Sequence, residues 1–119
     1  MATTSTKGSQ GEDVAVAFLE SRGFQVLRTN FRLGRVGEID VVAVDGEILV
    51  FVEVKMRYSS AFGRPEDAVG PRKQQQLKRV AHAFLHINNI VNSPCRFDVI
   101  AIEVRDGQRY VRHWKNAFF

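Results

Sequence analysis

The chain has 119 residues, 45% hydrophobic and 25% charged, the size and make-up of one ordinary globular domain that buries its core without disulfides. Its apolar runs, such as Ile48 to Val52, fall far short of the roughly 20 residues a membrane helix needs, which excludes a helical membrane protein. A lone cysteine, Cys95, excludes an internal disulfide and the usual zinc spacings, and a net charge of +4 leans towards an anionic partner such as nucleic acid.

Met1 to Lys7 are small and polar and lack the apolar stretch of a secretory signal, so residues 1–7 read as a disordered start to a single domain over 8–119. A cytoplasmic location and a reduced thiol follow, with Cys95 expected as a small buried group at a strand edge. From Gly8 to Arg22, Val14, Ala15, Phe18 and Leu19 recur at helical spacing, and Gly23 stands where a C-terminal cap belongs. Phe24 to Leu33 alternates like a half-exposed strand. Ile39 to Val44 and Ile48 to Val54 are apolar on both faces, as in central strands covered by helices on each side, and Asp45-Gly46 reads as the hairpin turn between them.

Met56 to Gly70 has no clean period and reads as a long loop. Pro71 suits the first position of a second helix, whose apolar stripe is Leu77, Val80, Ala81, Phe84 and Leu85 and which runs out near Asn88 and Asn89. Phe97 to Val104 and Tyr110 to Trp114 form two more strands around an Asp106-Gly107 turn. The predicted order is αβββαββ, an α/β fold.

Charges interrupt this apolar pattern. Asp40 lies in one central strand and Glu53 and Lys55 in its partner, where isolated charges cost several kcal/mol unless paired or metal-bound. With Asp45-Gly46 as a two-residue loop, Val44 faces Glu47 and Asp40 faces Phe51, on the side shared by Glu53 and Lys55. Asp40 and Glu53 are then diagonal neighbours roughly 7 to 8 Å apart, able to converge on one ion. All-oxygen ligands favour Mg²⁺ or Mn²⁺, and a lysine beside them suits phosphodiester hydrolysis. A structural ion-pair cluster would look the same in the sequence. Glu12 shares a helical stripe with Ala15, Val16 and Leu19, which turns its carboxylate towards the sheet.

Together Gly11-Glu12, Asn30-Phe31-Arg32, Gly37-Glu38-Ile39-Asp40, Phe51-Val52-Glu53-Val54-Lys55-Met56-Arg57, Phe62-Gly63, Arg96-Phe97-Asp98 and Asn116-Ala117-Phe118 resemble the YraN-type bacterial family over nearly the whole chain. The resemblance implies the restriction-endonuclease-like fold of the PD-(D/E)XK superfamily, a three-layer α/β/α core with a mixed central sheet, similar to archaeal Holliday junction resolvases that cut branched DNA as homodimers. It further implies Glu12, Asp40, Glu53 and Lys55 as the catalytic set, with Asp40, Glu53 and the Val54 carbonyl holding Mg²⁺ or Mn²⁺. Superfamily folds also serve binding without catalysis, so a non-catalytic accessory protein in DNA processing is the alternative.

Arg57, Arg64, Arg72 and Lys73, with Gln74, are the candidate nucleic-acid contacts, since basic charge concentrates after Lys55. Lys78 and Arg79 read equally well as a solvated face, and His82 and His86 as exposed. Glu38 is expected in solvent, Asp98 in a structural ion pair, and Trp114, Phe118 and Phe119 in a tail packed on the core.

Overall fold

A computed structural model of the chain describes residues 7–57 and 69–118. Residues 1–6, Phe119 and most of the expected 56–70 loop, including Phe62, Gly63 and Arg64, lie outside the described residues. Helix α1 spans Lys7–Ser21, strands β1, β2 and β3 span Gln25–Leu33, Gly37–Asp45 and Ile48–Arg57, helix α2 spans Pro71–Ile87, and β4 and β5 span Cys95–Arg105 and Gln108–Phe118. Among the described residues the order is αβββαββ, as predicted, and no helix is long and apolar enough to cross a membrane.

Local chemistry sets the ends of both helices. After α1, Gly23 takes φ +88°, its N–H bonds Glu20 and that of Phe24 bonds Leu19, which satisfies carbonyls the helix leaves open. Asn89 does the same after α2 at φ +54°, with N–H bonds from Asn89 to His86 and from Ile90 to Leu85. Pro71 occupies the start of α2, where its missing N–H costs nothing.

The five strands form one mixed sheet in the order β1-β2-β3-β4-β5. β1, β2 and β3 are successive antiparallel neighbours, β4 joins β3 in parallel, and β5 returns antiparallel to β4. A parallel pair needs a crossover, and α2 supplies it. The period of two then sends neighbouring residues to opposite cores. Val41, Ala43, Val50, Val52, Ile100 and Ile102 pack with Ala15 and Leu19 of α1, whereas Val42, Phe51 and Val99 pack with Leu77, Val80, Ala81 and Phe84 of α2. Phe84 meets Phe31 and Phe51 edge-on at 5.1 and 5.9 Å, a favoured aromatic geometry.

One register differs from expectation. Asp45 pairs with Ile48, and Val44 with Leu49, so the two-residue turn is Gly46-Glu47 rather than Asp45-Gly46. Gly46 has φ +64° and Glu47 has no positive φ, the pattern of a turn with glycine in its first central position. A shift of two residues keeps the paired side chains, Val41 to Asp45 and Ile48 to Val52, on their predicted faces, because the sheet period is also two. At the other hairpin Arg105 pairs with Gln108, and Asp106 and Gly107, at φ +50° and +76°, are the predicted turn.

Asp98 makes its expected ion pair and more. Fully buried, it accepts two bonds from Arg96 at 2.8 and 3.0 Å, one from the Asn116 N–H at 2.9 Å, and lies 2.7 Å from His113 Nε2. Arg96 also reaches Asp45 at 3.0 Å, tying the β2–β3 turn to β4 and β5. The tail packs as expected, with Phe118 buried and stacked on Phe97 at 4.9 Å. Cys95 corrects its expectation: it is exposed, because it opens β4 at the end of the sheet, ahead of the covered part of the strand.

Candidate metal centre

The β2–β3 ladder runs from Asp45–Ile48 to Val41–Val52, and Asp40 lies just past its end. Ile39 and Val42 both pack in the α2-side core although three positions apart, so the alternation of faces is interrupted at Asp40-Val41. Asp40 uses this break to reach across the end of the ladder. Its Oδ2 accepts the backbone N–H of Val54 at 2.8 Å, so a β2 side chain occupies a β3 backbone donor.

Glu53 stands beside it with its side chain 6% exposed. The carboxyls of Asp40 and Glu53 adjoin closely enough to act on each other, an arrangement that is unfavourable when both are ionised. Burial is the main reason both carboxyls titrate above their ordinary range. Glu53 is pushed up to about 7, with the Asp40 charge adding to burial and Lys73 and Lys55 opposing it. Lys55 Nζ lies 3.5 Å and Lys73 Nζ 3.8 Å from Glu53 Oε2. The expected group of Asp40, Glu53 and Lys55 is therefore assembled, with a second lysine delivered by the first turn of α2.

Glu12 and Glu38 also lie close to Asp40. Carboxylate oxygens of Glu12, Glu38 and Asp40 all lie within 4.8 Å of one another. Glu12 projects from α1 towards the sheet, as its stripe predicted, and Gly11 helps: a Cβ there would stand 3.4 Å from Met56 Sδ, so glycine lets the helix lie close to β3. Burial raises the Glu12 pKa, a hydrogen bond with Asn30 opposes this, and the charges of Asp40, Glu38 and Asp13 add to it. Glu38 is half-buried rather than free in solvent, with Arg32 at 3.9 Å. Asp40 thus joins an acid-only group to an acid–lysine group, and either set of oxygens suits a hard cation.

Glu38 was expected in solvent and Lys73 among the nucleic-acid contacts, and both instead stand beside Asp40 or Glu53. Glu38 was visible as the residue two before Asp40, on its face by the strand period. Lys73 gave no comparable signal, because its distance from Glu53 depends on how α2 docks against β3.

The remaining candidates fall around this group. Arg57 is half-buried at the end of β3, level with Glu103 of β4. Glu103 is buried, with one oxygen 3.3 Å from Arg105 and Oε2 lacking a hydrogen-bond partner among the described residues. Arg72 is exposed at the start of α2. The Gln74 side chain donates to Val69 O at 2.8 Å and so holds the segment leading into the helix. His82 and His86 are exposed, as expected.

The model of Uncharacterised protein family UPF0102 matches residues 11–102, a span that contains Glu12, Glu38, Asp40, Glu53, Lys55 and Lys73. The chain is 48% identical to a UPF0102 protein of Natranaerobius thermophilus, covering 95% of this chain and 97% of that one. It is 46% identical to a UPF0102 protein of Pelobacter propionicus (93% and 81% covered) and 42% identical to one of Clostridium perfringens (93% and 92%). None of these names specifies an activity.

Proposed function

The chain belongs to the UPF0102 family, and from its acid–lysine cluster we propose a metal-dependent endonuclease that hydrolyses phosphodiesters in structured, branched DNA. The observation that carries this reading is the adjoining pair of half-buried Asp40 and buried Glu53, with Lys55 and Lys73 Nζ at 3.5 and 3.8 Å from Glu53 Oε2. Such a pair is unfavourable when both acids ionise unless a cation joins them. Oxygen-only donors fit Mg²⁺ or Mn²⁺, with Asp40 and Glu53 as side-chain ligands and the Val54 carbonyl as a backbone one. Bound there, the ion would polarise a phosphate and acidify a water.

The chain's own residues divide the remaining work. Lys55 and Lys73 place positive charge where a phosphate gains negative charge in the transition state. Glu12, held close to Asp40, orients or accepts a proton from water. Arg57, Arg72 and Gln74 would meet the nucleic-acid backbone around the centre. The element order, the mixed sheet and helices on both of its faces support the restriction-endonuclease-like reading of the fold.

The test is cleavage of branched, single-stranded and duplex DNA in Mg²⁺ or Mn²⁺ by the wild type beside Lys55→Ala and Glu53→Ala. The wild type should cut and both variants should bind without cutting. Binding by the wild type with no cleavage above the variants would leave a non-catalytic accessory protein as the better reading.

A further inference from the structure

A groove lies beside the acidic cluster, between the β1–β2 turn and the outward face of α2. It measures about 630 Å³ where Arg35, Val36, Arg72, Gln75, Gln76 and Arg79 line it. A hollow of about 550 Å³ continues it, sharing Val36, Gln75 and Arg79 and reaching Lys78 and His82. Among the described residues the lining carries several cations and no carboxylate. α2 itself has no Asp or Glu anywhere in its 17 residues.

A helix face kept only for solubility mixes both signs and gains from Glu–Lys pairs one turn apart. This face has no such pair. Arg72 stands in the first turn, where the helix dipole disfavours a cation. Among the described residues no ion pair engages Arg35, Arg72, Lys78 or Arg79. Neither helix stability nor pairing among the described residues accounts for these charges, whereas a polyanion in the groove does.

We propose that the groove is a phosphate-backbone track that leads a nucleic-acid strand along α2 away from the Asp40–Glu53 centre, with Arg35, Arg72 and Arg79 as its phosphate contacts. This deepens, and rests on, the nuclease reading above. Lys73, next to Arg72, lies 3.8 Å from Glu53, so track and centre adjoin. Arg72, Gln75, Arg79 and His82 follow one another at spacings of three and four, a line of about 15 Å on the helix. Duplex DNA presents a phosphate of one strand about every 3.4 Å of its axis, so this length meets several.

The opposite wall is fixed in advance. Gln76 Nε2 donates to the Val36 carbonyl, which pins the Arg35-Val36 turn to α2. Gly37 leaves room for that bond, since a Cβ there would fall 2.8 Å from Gln76 Cγ. Arg35 is thereby held across the groove from Arg72 and Arg79 without waiting for substrate.

The experiment is fluorescence anisotropy of the full chain with a labelled duplex and a labelled four-way junction, without divalent cation and across a salt series. Arg35→Ala/Arg79→Ala should weaken binding by on the order of tenfold or more and lower the slope of log affinity against log salt by about 1.8, two contacts at about 0.9 each. Arg35→Lys/Arg79→Lys keeps the charges and should keep the slope. Unchanged affinity and slope in the alanine pair, beside a salt-dependent wild type, would overturn the track and leave the nuclease reading standing. Displacement of DNA by polyglutamate as readily as by unlabelled DNA of equal charge would also overturn it, in favour of an acidic protein partner. A wild type that binds neither DNA at low salt would overturn both proposals.

Discussion

Glu53→Gln keeps the size and hydrogen-bonding reach of the buried side chain and removes only its titration. In the wild type the folded chain holds the Glu53 proton to about pH 7, against an ordinary 4.5, because of burial and the neighbouring Asp40 charge. The folded state therefore binds this proton more tightly than the unfolded chain does. Its contribution to stability is fully present below about pH 4.5 and is lost as the pH rises through about 7. The difference between those two values is worth about 3 kcal/mol. One kcal/mol moves the Tm of a domain this size by about 4 °C. Measured by thermal unfolding at constant ionic strength, the wild-type Tm relative to Glu53→Gln should fall by on the order of 10 °C between about pH 5 and about pH 8. At the higher pH, Mg²⁺ or Mn²⁺ at a hundredfold excess over its Kd should return about 2.7 kcal/mol to the wild type and much less to the variant. Parallel pH profiles for the two proteins would refute the argument that burial and Asp40 raise this acid, and with it the main support for a cation at the pair.

Asp98 has the opposite sign: burial would raise its pKa, but bonds from His113, Arg96 and the Asn116 N–H outweigh it and lower the value below the usual 3.8. Its stabilisation is present above that range and fades as the pH falls through the lowered value, so Asp98→Ala should cost about 3–5 kcal/mol in urea unfolding near neutrality and less in strong acid. Gly37→Ala, which drives a methyl to 2.8 Å from Gln76 Cγ, should cost about 1–3 kcal/mol. That cost should shrink in the Gly37→Ala/Gln76→Ala pair when read as a double-mutant cycle by urea unfolding. Phe84→Ala removes the ring on which Phe31 and Phe51 meet and should cost about 3–5 kcal/mol, again by urea unfolding.

Much of the candidate site was legible because its parts are close in sequence. Asp40, Glu53 and Lys55 sit on two strands of one hairpin, where a period of two and a short turn determine which side chains share a face. Glu12 was legible for the same reason on α1, from a stripe of apolar neighbours at helical spacing. Glu38 was misjudged because a residue near a strand's start has no local cue for what covers it; α1 does, by docking close to β3 over Gly11.

The sequence by itself determined the order of elements, the helix ends at Gly23 and Asn89, the turn at Asp106-Gly107, and which apolar stripes meet the sheet. These depend on backbone preference and periodicity within a few residues. Only the tertiary structure decided that Gly46-Glu47, not Asp45-Gly46, closes the central hairpin, since competing turn geometries differ by less than the strand pairing they terminate. It alone decided that Lys73 reaches Glu53, that Gln76 clamps the turn at Val36, and that Arg96, His113 and Asn116 converge on Asp98. The Lys73 and Gln76 contacts depend on how α2 packs on the completed sheet, and those of His113 and Asn116 on how β5 pairs with β4; only Arg96 shares a strand with Asp98.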